Sequence, residues 1–474
     1  MKALIKRYTL ALAIAGLAAG TATAQTTNTG YYTQGYEFRH TLNPAFGNET
    51  FYVSIPALGN IGAKMQGNFG VEDVLFKNPN QGGKPTVTFM HPDISYEEAM
   101  KGINDKNKFR FDFDMSLISV GFKGLGGYNT VELNARANAG LYLPGDLFRM
   151  AKGLTNKTYS FDFGAQAMAY AELALGHSHQ ITKDLRVGGK LKFLLGIGMA
   201  QFEVEGMQAD FRADQNTWVM RSGTVKAETY MKGLTFKNNA PGETFKDGSP
   251  DVHVDFGETD VDGGGSSGFG MAVDMGAEYN LGDVVKGLKV NAAIRDLGFI
   301  SWSNKTVLQQ QNQVFTFDGF KDIRVKDENP QGTKIGDKAD QYEDQLSRFV
   351  NLQVGETGGS QAKWLAATMN IGAEYQMPFY DKLTAGLLLQ HRFDGEYSWT
   401  EARLSANVAP LKVLSFSASG AINSFGGNFG LMASLHQSGF AFFIGSDHFI
   451  GKTTKQGVPL NSKSSVTMGM NISF

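Results

Sequence analysis

One pattern constrains this chain more than any other: a two-residue alternation that recurs along almost its whole length. Phe109, Phe111, Phe113, Met115 and Leu117 alternate with Arg110, Asp112, Asp114 and Ser116. Leu191, Phe193, Leu195 and Ile197 share a stretch with Lys190 and Lys192 of opposite parity. The final residues, SSVTMGMNISF, set Val466, Met468, Met470, Ile472 and Phe474 against Thr467, Gly469, Asn471 and Ser473. Period two is the mark of a strand with one apolar and one polar face. Several runs exceed the five or six residues of a typical globular strand. They reach the roughly 9–11 residues that a transmembrane strand needs.

About 14 such strands are predicted, with boundaries good to a few residues. They fall near 59–71, 109–123, 128–142, 159–178, 185–203, 268–281, 287–302, 364–377, 383–395, 397–409, 411–421, 428–435, 439–448 and 464–474. Connections from even to odd strands are short: 124–127, 179–184, 282–286, 378–382, Pro410 and 436–438. Every long insertion joins an odd strand to an even one: 72–108, 143–158, 204–267, 303–363 and 449–463. Soluble β-sandwiches have no reason to keep long loops at one parity. Outer-membrane barrels do, with short periplasmic turns and long outer loops. The fold expected is all-β, a transmembrane antiparallel β-barrel of about 14 strands with both termini in the periplasm. In a closed barrel the last strand pairs with the first and no edge is left open.

The start of the chain, MKALIKRYTLALAIAGLAAGTATAQ, has a basic head (Lys2, Lys6, Arg7), a short apolar run and Ala22-Thr23-Ala24. It reads as a signal peptide over 1–24, too short in its apolar part for a spanning helix. The chain has no cysteine, so neither a lipid-anchored cysteine nor a disulfide framework is available. Its formal net charge is -2 and loses basic residues with the leader, which gives no footing for nucleic acid. Glycine is abundant at 58 and proline scarce at 12. Soluble β-domains in the periplasm are the rival class, and loop parity decides against them.

Local features fill in the plan. Ser95-Tyr96-Glu97-Glu98 is a capping box opening a short helix to about Lys101. Asp146 is placed to cap a second helix ending before Gly153. Trp302, Trp364 and Trp399 fall at outer strand ends, where interfacial aromatic belts sit. Phe379 and Tyr380 fall at an inner turn. His177 and His179 share a strand face but lack further ligands, so a turn is the better reading than a metal site. Asp260-Val261-Asp262 precedes three glycines without the full calcium-loop spacing. No nucleophile motif is present, so no enzyme and no cofactor are expected. By parity Tyr170, Glu172, Lys190, Lys192 and Arg295 face the lumen. A tight turn at 179–184 would set Glu172 opposite one of the two lysines, an ion pair within a polar wall.

The stretch HTLNPAFGNETFYVSIPALGNIGAKMQGNFGVEDVLF, with Asn43-Pro44-Ala45 and Ser54-Ile55-Pro56, resembles a family of outer-membrane barrels from the Bacteroidota, a domain of unknown function. LYLPGDLF, AYAELALG, LRVGGKLKFLLG, RDLGFISW and FFIGSDHF follow in order, over nearly the whole chain after residue 24. More distantly, the Asn-Pro-Ala element is similar to one in the long-chain fatty-acid transporter family and in barrel subunits of the type IX secretion system. That resemblance implies a 14-stranded barrel, with residues 25–58 as an N-terminal plug and 59–474 as the barrel. It also implies passive transport of a small hydrophobic molecule through the cell outer membrane of a Gram-negative bacterium. The alternative is a scaffold whose long loops bind a surface or secreted protein. A water-filled general porin fits less well with a plug. The partners expected are outer-membrane lipid, a hydrophobic small-molecule ligand and the barrel assembly machinery, for which Phe474 is the terminal aromatic signal.

Overall fold

A computed structural model describes residues 27–48, 50–78, 86–153, 157–212, 217–239, 242, 244, 248, 251–262, 265–311, 313–317, 352–448 and 463–474. The segment read as a signal peptide lies outside the described residues, as do 318–351 and 449–462.

The chain is a closed 14-strand antiparallel β-barrel. In chain order the strands are β1 (Tyr52–Ser54 and Ile61–Gly67), β2 (Lys106–Gly124), β3 (Gly127–Pro144), β4 (Lys157–Gln180) and β5 (Leu185–Arg212). Then come β6 (Gly268–Asn280), β7 (Leu288–Ser303), β8 (Ser360–Trp364 and Ala367–Gln376), β9 (Leu383–Phe393) and β10 (Trp399–Leu411). The wall ends with β11 (Leu414–Asn423), β12 (Gly426–Gln437), β13 (Phe440–Ser446) and β14 (Ser464–Ser473). Each strand pairs with its chain neighbours, and β14 closes on both parts of β1, with Tyr52↔Ser473 and Ile61↔Met468 in register. Pairing of the first strand therefore starts at Tyr52, ahead of the expected 59. The turn between β10 and β11 lies at Lys412–Val413, and Pro410 belongs to β10.

Alternation dictates the two faces. On β5, Leu191, Phe193, Leu195 and Ile197 are exposed on the outside, while Lys190, Lys192 and Leu194 are buried inside. The same apolar exterior continues in Leu173 and Leu175 on β4, Met271 on β6 and Leu387 and Leu389 on β9. An apolar outer belt with a polar interior is the arrangement a barrel takes in lipid.

The segment expected as the long loop 204–267 is largely strand. β5 runs to Arg212, far beyond a membrane-spanning length, and turns back through Thr217–Arg221 and Thr224–Tyr230. Lys305–Gln311 pairs with Thr224–Tyr230 and with Gln353–Thr357, so part of 303–363 joins the same outer sheet. Val204, Val225, Val254, Leu308 and Leu352 form its core. Ser95 accepts from Glu98 N at 3.1 Å and caps the helix Tyr96–Met100. The second helix, Gly145–Lys152, follows Pro144 at the N-cap position, with no side-chain cap. Asp146 sits in its first turn, 3.0 Å from Arg149.

A bulge corrects the tryptophan belt. Arg295 and Asp296 on β7 together oppose Asp274 on β6, and Asp296 has φ 59°. Bulges re-aim side chains: inward parity is odd before this point and even after it. Trp302 is thereby turned inward and buried against Gly196, and Trp399 shares the inward parity of Glu401 and Arg403. Among the three, only Trp364 faces out, at 76 % exposure.

Candidate functional site: the plugged lumen

Residues 27–48 lie inside the barrel and run to the wall at Tyr52. The segment is short of regular structure, with 3-10 turns at Asn28–Gly30 and Glu37–Thr41. Its backbone polar groups are instead satisfied by wall side chains, as buried groups must be. Asn370 Nδ2 donates to the Leu42 carbonyl at 2.9 Å, and Arg295 donates to the Thr41 carbonyl at 2.9 Å. Tyr31 Oη donates to Asn291 Oδ1 at 2.8 Å, and Tyr32 Oη to the Leu387 carbonyl at 2.9 Å. Tyr31, Tyr32, Tyr36, Phe38, Leu42 and Phe46 form one buried cluster with Tyr52, Tyr128, Leu388, Met432 and Phe443 from the wall. Edge-to-face pairs such as Tyr36–Phe443, with centroids 4.8 Å apart, add about 0.5–1.5 kcal/mol each beyond area burial.

Asp447, just past β13, holds the start of this segment. It accepts from Thr27 Oγ1 at 2.5 Å, from Asn28 N at 3.0 Å and from Thr29 N at 2.8 Å. Lys64 and Arg403 both stand 3.5 Å from its carboxylate, and Arg403 is also 2.9 Å from Glu401. Asn28 Nδ2 reaches Gln390 at 2.8 Å and Glu401 at 3.2 Å.

Asn43, Pro44 and Ala45 are buried against β5 and β6. Asn43 Oδ1 accepts from Ala45 N at 2.9 Å, a local turn that the asparagine side chain closes. The fit to the wall is close. A Cβ at Gly188 would stand 2.1 Å from the Pro44 carbonyl oxygen, and one at Gly276 would stand 2.0 Å from Asn43 Oδ1. Only glycine leaves room for the segment at these two positions.

Of the residues read from sequence as facing the lumen, Tyr170, Glu172, Lys190 and Lys192 are buried in the interior, and Arg295 points at the plug. Their pairing differs from expectation. Glu172 lies opposite Leu194, and Lys192 opposite Ala174. The carboxylate meets Lys192 only along the diagonal, at 3.8 Å. Its close partner is Arg136 on β3, at 3.2 Å, which also pairs with Asp114 and Asp296 at 3.2 Å each. Lys192 is shared by Asp274 at 2.7 Å and Asp296 at 2.6 Å. Lys190 turns the other way and pairs with Glu132.

Lys190 Nζ also donates to His40 Nδ1 at 2.9 Å. An amine with only protons to give fixes Nδ1 as the acceptor, so Nε2 carries the hydrogen toward Tyr52 Oη at 2.9 Å. Burial and the nearby Lys190 push the imidazole down to about 3, so His40 stays neutral. Glu37 is the opposite case. It is 4 % exposed, accepts from Asn471 Nδ2 at 3.0 Å, and has no cation within ion-pair range among the described residues. Burial pushes its carboxyl up to about 7 against the opposing effect of the Asn471 amide.

Above the plug a cavity of about 60 Å³ remains, bordered by Asn28, Thr41, Asp114, Arg136, Arg295 and Arg392. On one side, toward the outer mouth, Tyr170, Leu194, Met199, Tyr230, Ile300, Trp302 and Leu365 form an apolar layer. His177 and His179 lie within β4, with rings 5.8 Å apart, on the parity of the exposed Leu173 and Leu175. The turn expected there is in fact Ile181–Asp184. Among the described residues no cluster of metal-ligating side chains is found. Sequence reading passed over Asp447, Arg136 and the Glu401–Arg403 pair. Inward parity on β10 could have marked the last two. Asp447 follows the end of a strand, where parity says nothing.

These features define a class: a closed β-barrel whose lumen is filled by its own N-terminal segment and crossed by ion-pair networks. The chain belongs to a family described as "Family of unknown function (DUF5723)", whose model matches residues 44–447. No curated protein matches it. Among solved structures it is similar to the toluene transporter TbuX of Ralstonia pickettii, at 9% identity and a TM-score of 0.38, covering 96% of this chain and 94% of that one. The toluene transporter TodX of P. putida matches at 9% identity and TM-score 0.38, covering 96% and 95%. The translocator domain of the autotransporter NalP from Neisseria meningitidis matches at 8% and 0.32, covering 90% of each chain.

Proposed function

We propose that this chain is an outer-membrane channel, not an enzyme, that passes a small hydrophobic molecule when its N-terminal segment shifts. The observation that carries the reading is the apolar layer of Tyr170, Leu194, Met199, Tyr230, Ile300, Trp302 and Leu365. Its Tyr170 and Leu365 border the cavity outside the plug, beside the charged side chains of Asp114, Arg136 and Arg295. A polar, charged wall retains water, and an apolar patch inside it favours solutes that leave water. Residues 27–48 fill the lumen beneath a cavity of about 60 Å³, which supports a passage that opens when that segment moves. The apolar outer belt of the barrel supports a place in the outer membrane, with the short turns toward the periplasm.

The test is a native mass spectrum of the protein extracted gently from its own membrane. A releasable hydrophobic adduct, lost in a Trp302→Ala variant that still folds, supports the channel. An empty lumen with a stoichiometric protein partner instead supports a scaffold. One observation favours that second reading: the outer sheet formed by the ends of β4 and β5 with Thr217–Tyr230 and Lys305–Gln311 has its own core and extends beyond the membrane span.

A further inference from the structure

We propose that the inner rim of the barrel is a binding surface for anionic phospholipid headgroups, built from an apolar residue and a lysine on each of five inner turns. It rests on the membrane-spanning reading above.

The pattern repeats turn by turn. Between β2 and β3, Leu125 is 88 % exposed with φ 53°, beside Lys123. Between β4 and β5, Ile181 is exposed beside Lys183. Between β6 and β7, Val284 is 81 % exposed, followed by Val285 and Lys286. Between β8 and β9, Phe379 is 78 % exposed, followed by Tyr380 and Lys382. Between β10 and β11, Leu411 and Val413 flank Lys412. The remaining inner turn, Ser438–Gly439, carries no lysine.

A turn has no core of its own to bury such residues, and exposed apolar tips cost free energy in water. They are continuous with the lipid-facing belt: on β4 the exposed parity of Leu173 and Leu175 runs on through His177 and His179 to Ile181. Their spacing around a rim, one turn apart, fits a flat lipid surface better than a single protein patch, where apolar area is concentrated at the centre. The lysines complete the match. Long stems lie along apolar surface while the amines reach polar headgroups. The same turns carry Asp184, Asp283 and Asp381, fewer acids than lysines, and Lys183 is paired with Asp283 at 2.7 Å. The rim therefore keeps an excess of positive charge, which attracts anionic lipid. Apolar tips with flanking cations are the composition of interfacial anchors.

The absence of cysteine makes single labels unambiguous. Val284→Cys, Phe379→Cys and a control, Leu173→Cys on the outer belt, are labelled with bimane in vesicles of phosphatidylethanolamine with or without phosphatidylglycerol. Lipids brominated at shallow or deep positions serve as quenchers. The expected result is quenching of the two turn labels by shallow bromines and of the Leu173 label by deep ones. In native mass spectra, phosphatidylglycerol is retained over phosphatidylethanolamine by about threefold. That preference falls to parity when Lys123, Lys183, Lys286, Lys382 and Lys412 are all changed to Gln. A quenched control with unquenched turn labels overturns the rim, and so does a headgroup preference that survives the lysine changes. An unquenched control overturns the membrane-spanning reading itself.

Discussion

Thr29 and Asp447 stand 418 positions apart in sequence, and the Thr29 N–H donates to the Asp447 carboxylate at 2.8 Å. The contact ties the first described turn of the chain to the end of β13, with Lys64 and Arg403 balancing the charge. Replacing Asp447 by Ala takes the shared acceptor from buried donors on Thr27, Asn28 and Thr29 and the anion from Lys64, while Arg403 keeps only Glu401 as its anion. Loss of one partner from such a buried set costs on the order of 3–5 kcal/mol. The barrel itself is held by strand pairing, so the expected result is an assembled but leaky protein. Liposome swelling with small sugars should rise severalfold over the native chain, and unchanged swelling would argue that Asp447 does not hold the plug.

Glu37 makes plug docking pH-dependent. Its carboxyl is raised from an ordinary 4.5 to about 7 by burial. The folded state therefore binds a proton that the undocked segment releases. Stability from this group is fully present below about 4.5 and is lost as pH rises through about 7, an effect on the order of 3 kcal/mol. Protease accessibility of residues 27–48 should increase across that window. Glu37→Gln keeps the Asn471 contact without the charge and should flatten the profile; a profile unchanged by the substitution rules Glu37 out.

A side chain at Gly188 or Gly276 should expel the Asn43-Pro44-Ala45 turn. Built Cβ atoms there overlap backbone and side-chain atoms of the segment. Gly188→Val is expected to leave the β5–β6 pairing in place, since valine suits strands. Limited proteolysis followed by mass spectrometry should find new cleavage between residues 27 and 48 in the variant. A protected segment would mean that the turn docks elsewhere.

Deleting Phe474 is expected to lower the amount of folded barrel in the outer membrane by about half or more, through loss of the terminal signal and of a seam contact worth on the order of 1 kcal/mol. Its N–H donates to the Phe51 carbonyl at 2.8 Å, and the two rings lie 5.3 Å apart. The shift between folded and heat-unfolded bands on gels reads the folded fraction directly. Equal band intensities for the native and shortened chains would remove Phe474 from assembly.

The wall was legible in the sequence because period two is a local signal, repeated in every strand and sharpened by loop parity. Lys190 and Lys192 could be placed inside from neighbours two residues away. What local parity cannot see is a bulge. The extra residue at Arg295–Asp296 inverts every side chain after it, which is why Trp302 reads as an interfacial belt residue and sits in the lumen instead. Register across a turn is equally hidden. The pairing of Glu172 with Leu194 depends on how many residues the 181–184 turn consumes. The plug contacts are harder still, because Thr29 and Asp447, or Tyr32 and Leu387, are joined only by closure of the whole cylinder.

That cylinder closes through an interrupted joint. β14 meets β1 over Tyr52–Ser54 and again over Ile61–Met65, and between the two stretches only Ile55 N and the Leu58 carbonyl reach it, both at Met470, at 3.3 and 2.9 Å. The β4–β5 joint, by contrast, runs from Lys157 to Gln180 with only single-residue slips. A hoop under tension parts where its fastenings are short, and β14 has short ones on both sides, since β13 meets it only from Ala441 to Gly445. Pulled by the C terminus in a single-molecule force experiment, this one should shed β14 first, from β13 and β1 together, and then peel strand by strand, the plug leaving with the last strand to go.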